Sequence, residues 1–169
     1  MMDLLVIRHA IAMEREDFAA IDSDDDRRPL TDAGARKMRR VASGIRALVD
    51  RVDLIATSPL TRAMQTAQIV CEAYGTAATR TVDALRPENT PKSFIDWVRA
   101  NELGDVCAIV GHEPNLSQLV TWLMTGVDES RVALKKGGAC LLGFGGVPGA
   151  RTGTLRWLLT PSQLIERAG

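Results

Sequence analysis

Short apolar runs alternate with longer amphipathic ones along the whole chain, and that alternation restricts it to an α/β domain with a largely parallel sheet. The apolar runs predict strands over residues 4–8, 54–57, 79–82, 106–110, 139–144 and 154–159. The last two are joined by Gly145-Gly146-Val147-Pro148-Gly149, a link short enough for an antiparallel hairpin, so the sheet is expected to be mixed. Helices fill the intervals. Thr31 or Asp32 caps one that runs to about residue 49, with Met38, Val41, Ile45, Leu48 and Val49 on its apolar stripe and arginines opposite. A second covers 60–74 and ends at Gly75 in the C-cap position. Pro91 opens a third to about residue 101, and Pro114 a fourth to about residue 124.

Length and composition narrow the class further. With 169 residues, 46% hydrophobic and 25% charged, the chain fits one domain spanning residues 1–169. Its 21 basic and 21 acidic residues cancel, so no overall field draws it to nucleic acid or to an anionic membrane. The N-terminal MMDLLVIRHA lacks the charge pattern of a signal peptide, and no apolar run approaches the ~20 residues of a membrane span. Cys71, Cys107 and Cys140 are odd in number, widely spaced and set in apolar segments. They are expected to be reduced, buried thiols of a cytoplasmic protein, not a disulfide framework or a zinc site.

Two of the apolar runs end in the only histidines of the chain: Leu4-Leu5-Val6-Ile7-Arg8-His9 and Cys107-Ala108-Ile109-Val110-Gly111-His112. In open parallel sheets, ligands bind beyond the carboxyl ends of the strands. A third such exit, Thr57-Ser58-Pro59-Leu60-Thr61-Arg62, leads straight into a helix whose first turn carries Arg62. Each residue alone has an ordinary structural explanation. Together they predict a compact cationic pocket made from Arg8, His9, Arg62 and His112. Arginine presents a planar fork suited to phosphate oxygens. Histidine attacks phosphorus through one ring nitrogen when an acceptor holds the proton of the other. The remaining cations would neutralise the charge on the transferring phosphoryl group, and such a set needs no metal and no cofactor.

At these residues the chain resembles the histidine phosphatase superfamily, also called phosphoglycerate mutase-like. The likeness rests on Arg8-His9-Ala10, on Ser58-Pro59-Leu60-Thr61-Arg62-Ala63-Met64-Gln65-Thr66-Ala67 and on Gly111-His112, with Pro29-Leu30-Thr31-Asp32-Ala33-Gly34 between them in family order. The segments Val110-Gly111-His112-Glu113-Pro114-Asn115-Leu116-Ser117, Arg28-Pro29-Leu30-Thr31 and Leu134-Lys135-Lys136-Gly137 look most like the SixA-type phosphohistidine phosphatases. The resemblance implies a three-layer α/β/α sandwich with a mixed, mainly parallel sheet. It implies His9 as the nucleophile that becomes phosphorylated, with Arg8, Arg62 and His112 forming the phosphate pocket. Arg28 and Lys135 are further candidates for substrate contact.

Larger relatives insert a helical subdomain and a glutamate that protonates the leaving oxygen. Residues 80–91 are too few to hold that insertion, and Glu88 is the one carboxylate in a comparable place, as a possible acid or as a solvated loop residue. A site without a strong acid suits a phosphoramidate, whose protonated imidazole departs as a neutral amine, better than an alkyl ester. The expected function is therefore metal-independent removal of phosphate from protein phosphohistidine in signal transduction, with a phosphorylated phosphotransfer protein or domain as partner and the chain acting as a monomer. The alternatives are a phosphatase for small phosphate esters and an idle phosphate-binding module. Glu113 either orients His112 or favours a helix N-terminus. Lys135 and Lys136 reach the rim or face water, and the acidic run 22–26 reads as a solvated flank.

Overall fold

The computed structural model describes residues 1–75 and 77–169. Six strands, β1 (Met2–Arg8), β2 (Leu54–Thr57), β3 (Ala78–Thr81), β4 (Val106–Gly111), β5 (Ala139–Phe144) and β6 (Gly153–Leu159), form one sheet in the order β3-β2-β4-β1-β5-β6. The first four are parallel, while β5 and β6 run antiparallel at one edge. The expected mixed sheet is therefore what forms, with its hairpin at the C-terminal end. Side chains alternate along each central strand, so successive residues enter opposite cores. Leu5, Ile7, Ile55, Ala108 and Val110 pack on one face against α2 (Asp32–Leu48), α3 (Thr61–Tyr74) and α6 (Pro161–Ile165). Leu4, Val6, Leu54, Ala56, Cys107 and Ile109 pack on the other against α4 (Pro91–Arg99) and α5 (Asn115–Thr125). The result is the three-layer sandwich that the sequence implies.

Local chemistry explains where the helices begin and end. Thr31, and not Asp32, is the N-cap of α2, accepting the Gly34 N–H at 2.9 Å. Gly75 ends α3 in the left-handed region at φ 78°, where a glycine carries no Cβ penalty. Leu60 and Pro114 stand just outside α3 and α5 as caps, and α4 stops at Arg99. Leu48 departs from the expected stripe of α2. It is exposed, because the helix ends there and the chain turns the next residue, Val49, into the core.

The link from Arg8 to Thr31 carries structure of its own. It holds a short helix α1 (Arg15–Ala19), a 3-10 turn over Asp25–Arg27 and a bridge between Ala12 and Leu30. Between β3 and α4 there is only a 3-10 turn at Asp83–Leu85, so no helical subdomain stands over the carboxyl ends of the strands. The three cysteines are free, with Cys107 and Cys140 buried and Cys71 only half-buried. Among the described residues no helix is long and apolar enough to cross a membrane.

Candidate active site

The strand register assembles the site. Arg8 pairs with Gly111 across β1 and β4, and Thr57 pairs with Val110 across β2 and β4. The next residues, His9 and His112, therefore leave two adjacent strands at one level, and Ser58 leaves the third strand one residue lower, level with Gly111. Backbone bonds hold these positions beyond the ladder itself: His9 N–H donates to Gly111 O at 3.0 Å, and Ser58 N–H to Val110 O at 3.0 Å.

His9 is buried, and its Nδ1 lies 2.7 Å from the Ala10 carbonyl oxygen. A carbonyl only accepts, so Nδ1 carries the proton and Nε2 keeps the lone pair. Ala10 is itself fixed, since its N–H donates to Thr66 Oγ1, whose hydroxyl donates to Arg62 O inside α3. Burial pushes the His9 imidazole down to about 4, and the charges of Arg62, Arg8 and Arg28 push the same way against the Ala10 hydrogen bond. The ring is neutral near pH 7 and presents an available nitrogen.

His112 faces it with ring centroids 5.3 Å apart. Its Nε2 is 2.8 Å from Ser58 Oγ; that hydroxyl is fully buried, accepts the Leu60 N–H at 3.3 Å, and among the described residues meets no acceptor for its own proton except this nitrogen. Nδ1 then holds the ring hydrogen, and among the described residues it has no partner although His112 is only 3% exposed. Burial first, then the His9 ring and Arg62, push His112 down to about 3. It acts as a neutral donor waiting for an acceptor.

The arginines repeat that pattern. Arg8 donates through Nη1 to Leu134 O at 2.8 Å, yet its Nε is buried without a partner. Arg62, 4% exposed, likewise has an unpartnered Nε, while its Nη1 and Nη2 reach Asp25 O at 2.9 Å and Asp25 Oδ2 at 3.3 Å. Arg28 is buried as well, donating through Nε to Asp25 Oδ1 at 2.7 Å and through Nη1 to Met13 O at 2.7 Å. Burial pushes the Asp25 carboxyl up, but Arg28, Arg62 and Arg15 outweigh it and hold the group below the usual carboxylate range. Buried polar groups normally find partners, so three orphan N–H groups around one imidazole describe a receptor for an anion.

Arg8, His9, Arg28, Arg62 and His112 line one cavity of about 420 Å³. Two sequence candidates lie elsewhere. Glu88 stands outside the lining, its side chain 67% exposed and 3.9 Å from Arg86. Lys135 points to solvent, and its neighbour Lys136 takes the place on the wall. Glu113 lies on the wall beside His112, but its Oε1 accepts the Ser117 N–H at 3.0 Å, which is the helix N-terminal role. The acidic run 22–26 is not the solvated flank expected: only Ser23 and Asp24 are exposed, and Asp25 and Asp26 lie on the cavity wall paired with arginines. The three-residue spacing of Asp25 to Arg28 on a 3-10 turn is the one sequence signal that marks it. Ser58 is visible in the sequence only as part of a motif. Among the described residues no cluster of histidine, cysteine and carboxylate side chains could hold a metal ion.

Comparison with known proteins agrees with this geometry. The sequence profile of the histidine phosphatase superfamily (branch 1) matches residues 4–87, which include Arg8, His9 and Arg62. The chain belongs to the histidine phosphatase superfamily. It is 32% identical over 139 residues to an uncharacterised protein of Picosynechococcus sp., covering 81% of this chain and 82% of that one. This histidine phosphatase also shares its fold with the protein histidine phosphatase SixA in complex with tungstate (TM-score 0.79, 20% identity, 96% of this chain and 99% of the other). A phosphoserine phosphatase of Entamoeba histolytica in complex with 3-phosphoglyceric acid has the same fold (TM-score 0.69, 17% identity, 97% and 100%). His112 lies beyond the matched profile and is placed with the other three by the β4 register.

Proposed function

We propose that this histidine phosphatase removes phosphate from protein-borne phosphohistidine through a phosphorylated His9, without a metal. In the first step His9 Nε2 forms a bond to phosphorus as the substrate P–N bond breaks, and the electron pair leaves with an imidazole that keeps its own proton as a neutral amine. Water then attacks the phosphoryl group, the P–Nε2 bond breaks, the electron pair returns to His9 Nε2, and both protons of the water leave on the product as dihydrogen phosphate. The orphan donors of Arg8, Arg62 and His112 meet the charge on the equatorial oxygens. SixA, which has this fold, is a protein histidine phosphatase and binds tungstate, a tetrahedral oxyanion.

The observation that carries the phosphoramidate preference is the state of the nearby carboxylates. Asp25 is held ionised by arginines, Glu113 accepts a helix N–H, and Glu88 stands outside the cavity. Asp26 on the wall is paired with Arg86, so none of these four is set to protonate an alkoxide, and Glu14 is the one wall carboxylate left without a partner among the described residues. The open mouth, with only a 3-10 turn between β3 and α4, leaves room for a macromolecular substrate such as a phosphotransfer domain.

A second activity, hydrolysis of small phosphate esters, is favoured by Glu14. It lies on the cavity wall with no side-chain hydrogen bond or ion pair among the described residues, and the fold is shared with a phosphoserine phosphatase. One panel separates the two. Chelator-treated protein is expected to dephosphorylate phosphohistidine faster than an aryl ester and an aryl ester faster than an alkyl ester, with Glu14→Gln slowing only the esters. His9→Ala should form no acid-labile, base-stable phosphoenzyme. Equal wild-type rates on alkyl ester and phosphoramidate would defeat the phosphohistidine assignment.

A further inference from the structure

Asp25 is an anion inside an anion site. Its carboxylate lies 2.7 Å from Arg28 Nε, 3.3 Å from Arg62 Nη2 and 3.5 Å from Arg15 Nε, and its backbone oxygen takes Arg62 Nη1 at 2.9 Å. Both terminal nitrogens of Arg62 are thus turned to residue 25, and only Nε is left without a partner. An incoming phosphoryl group can still grip Arg62 along its side edge, through Nε–H and a second terminal N–H, but it then shares one guanidinium with the Asp25 carboxylate and lies beside its charge. The 3-10 turn does not need this side chain, because Asp24 is its N-cap and accepts the Asp26 N–H at 3.2 Å. Asp26 is bound separately, to Arg86 at 2.9 Å.

Taking this cavity as the phosphate site of a phosphatase, we propose that Asp25 is a resident counter-anion that holds Arg62 and Arg28 in the empty enzyme and keeps its affinity for orthophosphate, the product, low. The discrimination follows from charge. A carboxylate beside the site opposes a phosphate dianion most strongly. It opposes the loose, metaphosphate-like transition state less, since negative charge there has partly moved off the transferring group. Asp25 therefore weakens ground-state and product binding more than it weakens the transition state. It keeps the arginines ordered between turnovers, and it speeds release.

The test is binding of inorganic orthophosphate to the full chain by calorimetry, at a pH where the ligand is the dianion. The Asp25 side chain is 39% exposed, so solvent screens part of its field. Asp25→Asn keeps the shape and removes the charge. It is expected to tighten orthophosphate about tenfold, equivalent to ~1.4 kcal/mol, and to lower its inhibition constant to the same degree. Asp17→Asn removes an equal charge from exposed α1 and should change affinity less than twofold. If the asparagine variant does not fold, Asp25→Ser makes the same measurement. Unchanged or weaker orthophosphate binding in the neutral variants, or no binding by any form, would overturn the proposal and leave Asp25 as a scaffold for the arginines. Orthophosphate is released from any phosphate substrate, so a preference for esters over phosphohistidine would leave this result standing. Absence of turnover on every phosphate compound would instead defeat the assignment of the site.

Discussion

One hydrogen bond, from His9 Nδ1 to Ala10 O, decides which nitrogen faces the substrate, and Ser58 does the same for His112 from the opposite side of the site. The two histidines are thus set as different tautomers for different work: His9 with a free Nε2 lone pair, His112 with an unpartnered Nδ1–H. If His112 is a donor to the transferring group, His112→Ala should lower kcat by about 10²–10³, the range for loss of one preorganised donor. Ser58→Ala leaves the donor in place but frees its tautomer, and about tenfold in kcat with little change in KM is expected. Steady-state kinetics on a common substrate reads both. A serine variant as damaging as the histidine variant would mean that Ser58 itself touches the substrate. Arg8, His9 and His112 were legible in the sequence because charge at a strand exit is conspicuous where apolar residues precede it. Asp25 was not, because its partner Arg62 lies 37 residues away and only the folded loop brings the two together.

At the scale of elements, the site is a consequence of register, and two glycines show how little slack the supporting helix has. A Cβ on Gly44 would stand 1.7 Å from Leu164 O, and one on Gly34 would stand 2.1 Å from Ile11 O. Both are backbone atoms that cannot rotate aside. Gly44→Ala should therefore push α6 off α2 and destabilise the fold by at least ~1–3 kcal/mol, the usual cost of overpacking, while kcat per folded molecule stays near wild type. Gly34→Ala pushes on a carbonyl two residues from His9, so it should lose kcat as well as stability. Urea unfolding with activity measured on the folded fraction separates the two, and an unimpaired kcat in the Gly34 variant would show that the loop at Ile11 moves independently of His9. Strands and the four long helices were readable from period alone. Helices α1 and α6 were not, since five residues make too few turns to display a stripe. The capping box of Thr160 and Gln163, with Pro161 after the cap, was the available cue for α6.

The whole molecule is electrically neutral in sum, yet its two cores converge on a pocket where both histidines are buried beside arginines. This couples stability to pH. His9 at about 4 and His112 at about 3 lie well below the ordinary value of about 6.5 that each takes in the unfolded chain. The unfolded state therefore binds more protons wherever the pH lies between those values, and stability must fall as the pH drops. The loss begins near pH 6.5 and continues to about 4 for His9 and about 3 for His112, with a slope approaching ~1.4 kcal/mol per pH unit for each ring. Asp25 acts in the same direction at the acid end: its carboxyl is held low in the folded state, so its contribution is present above its unfolded value and disappears as pH falls through the folded one. The expected record is a urea-unfolding free energy that declines steadily from pH 6.5 to 4.5, matched by imidazole NMR signals that stay in the neutral form over the same range. A double variant, His9→Asn with His112→Asn, should flatten the decline without lowering stability at pH 7. A wild-type protein indifferent to pH in that window would mean that both rings charge in the folded state, and a charged His9 has no lone pair with which to attack phosphorus.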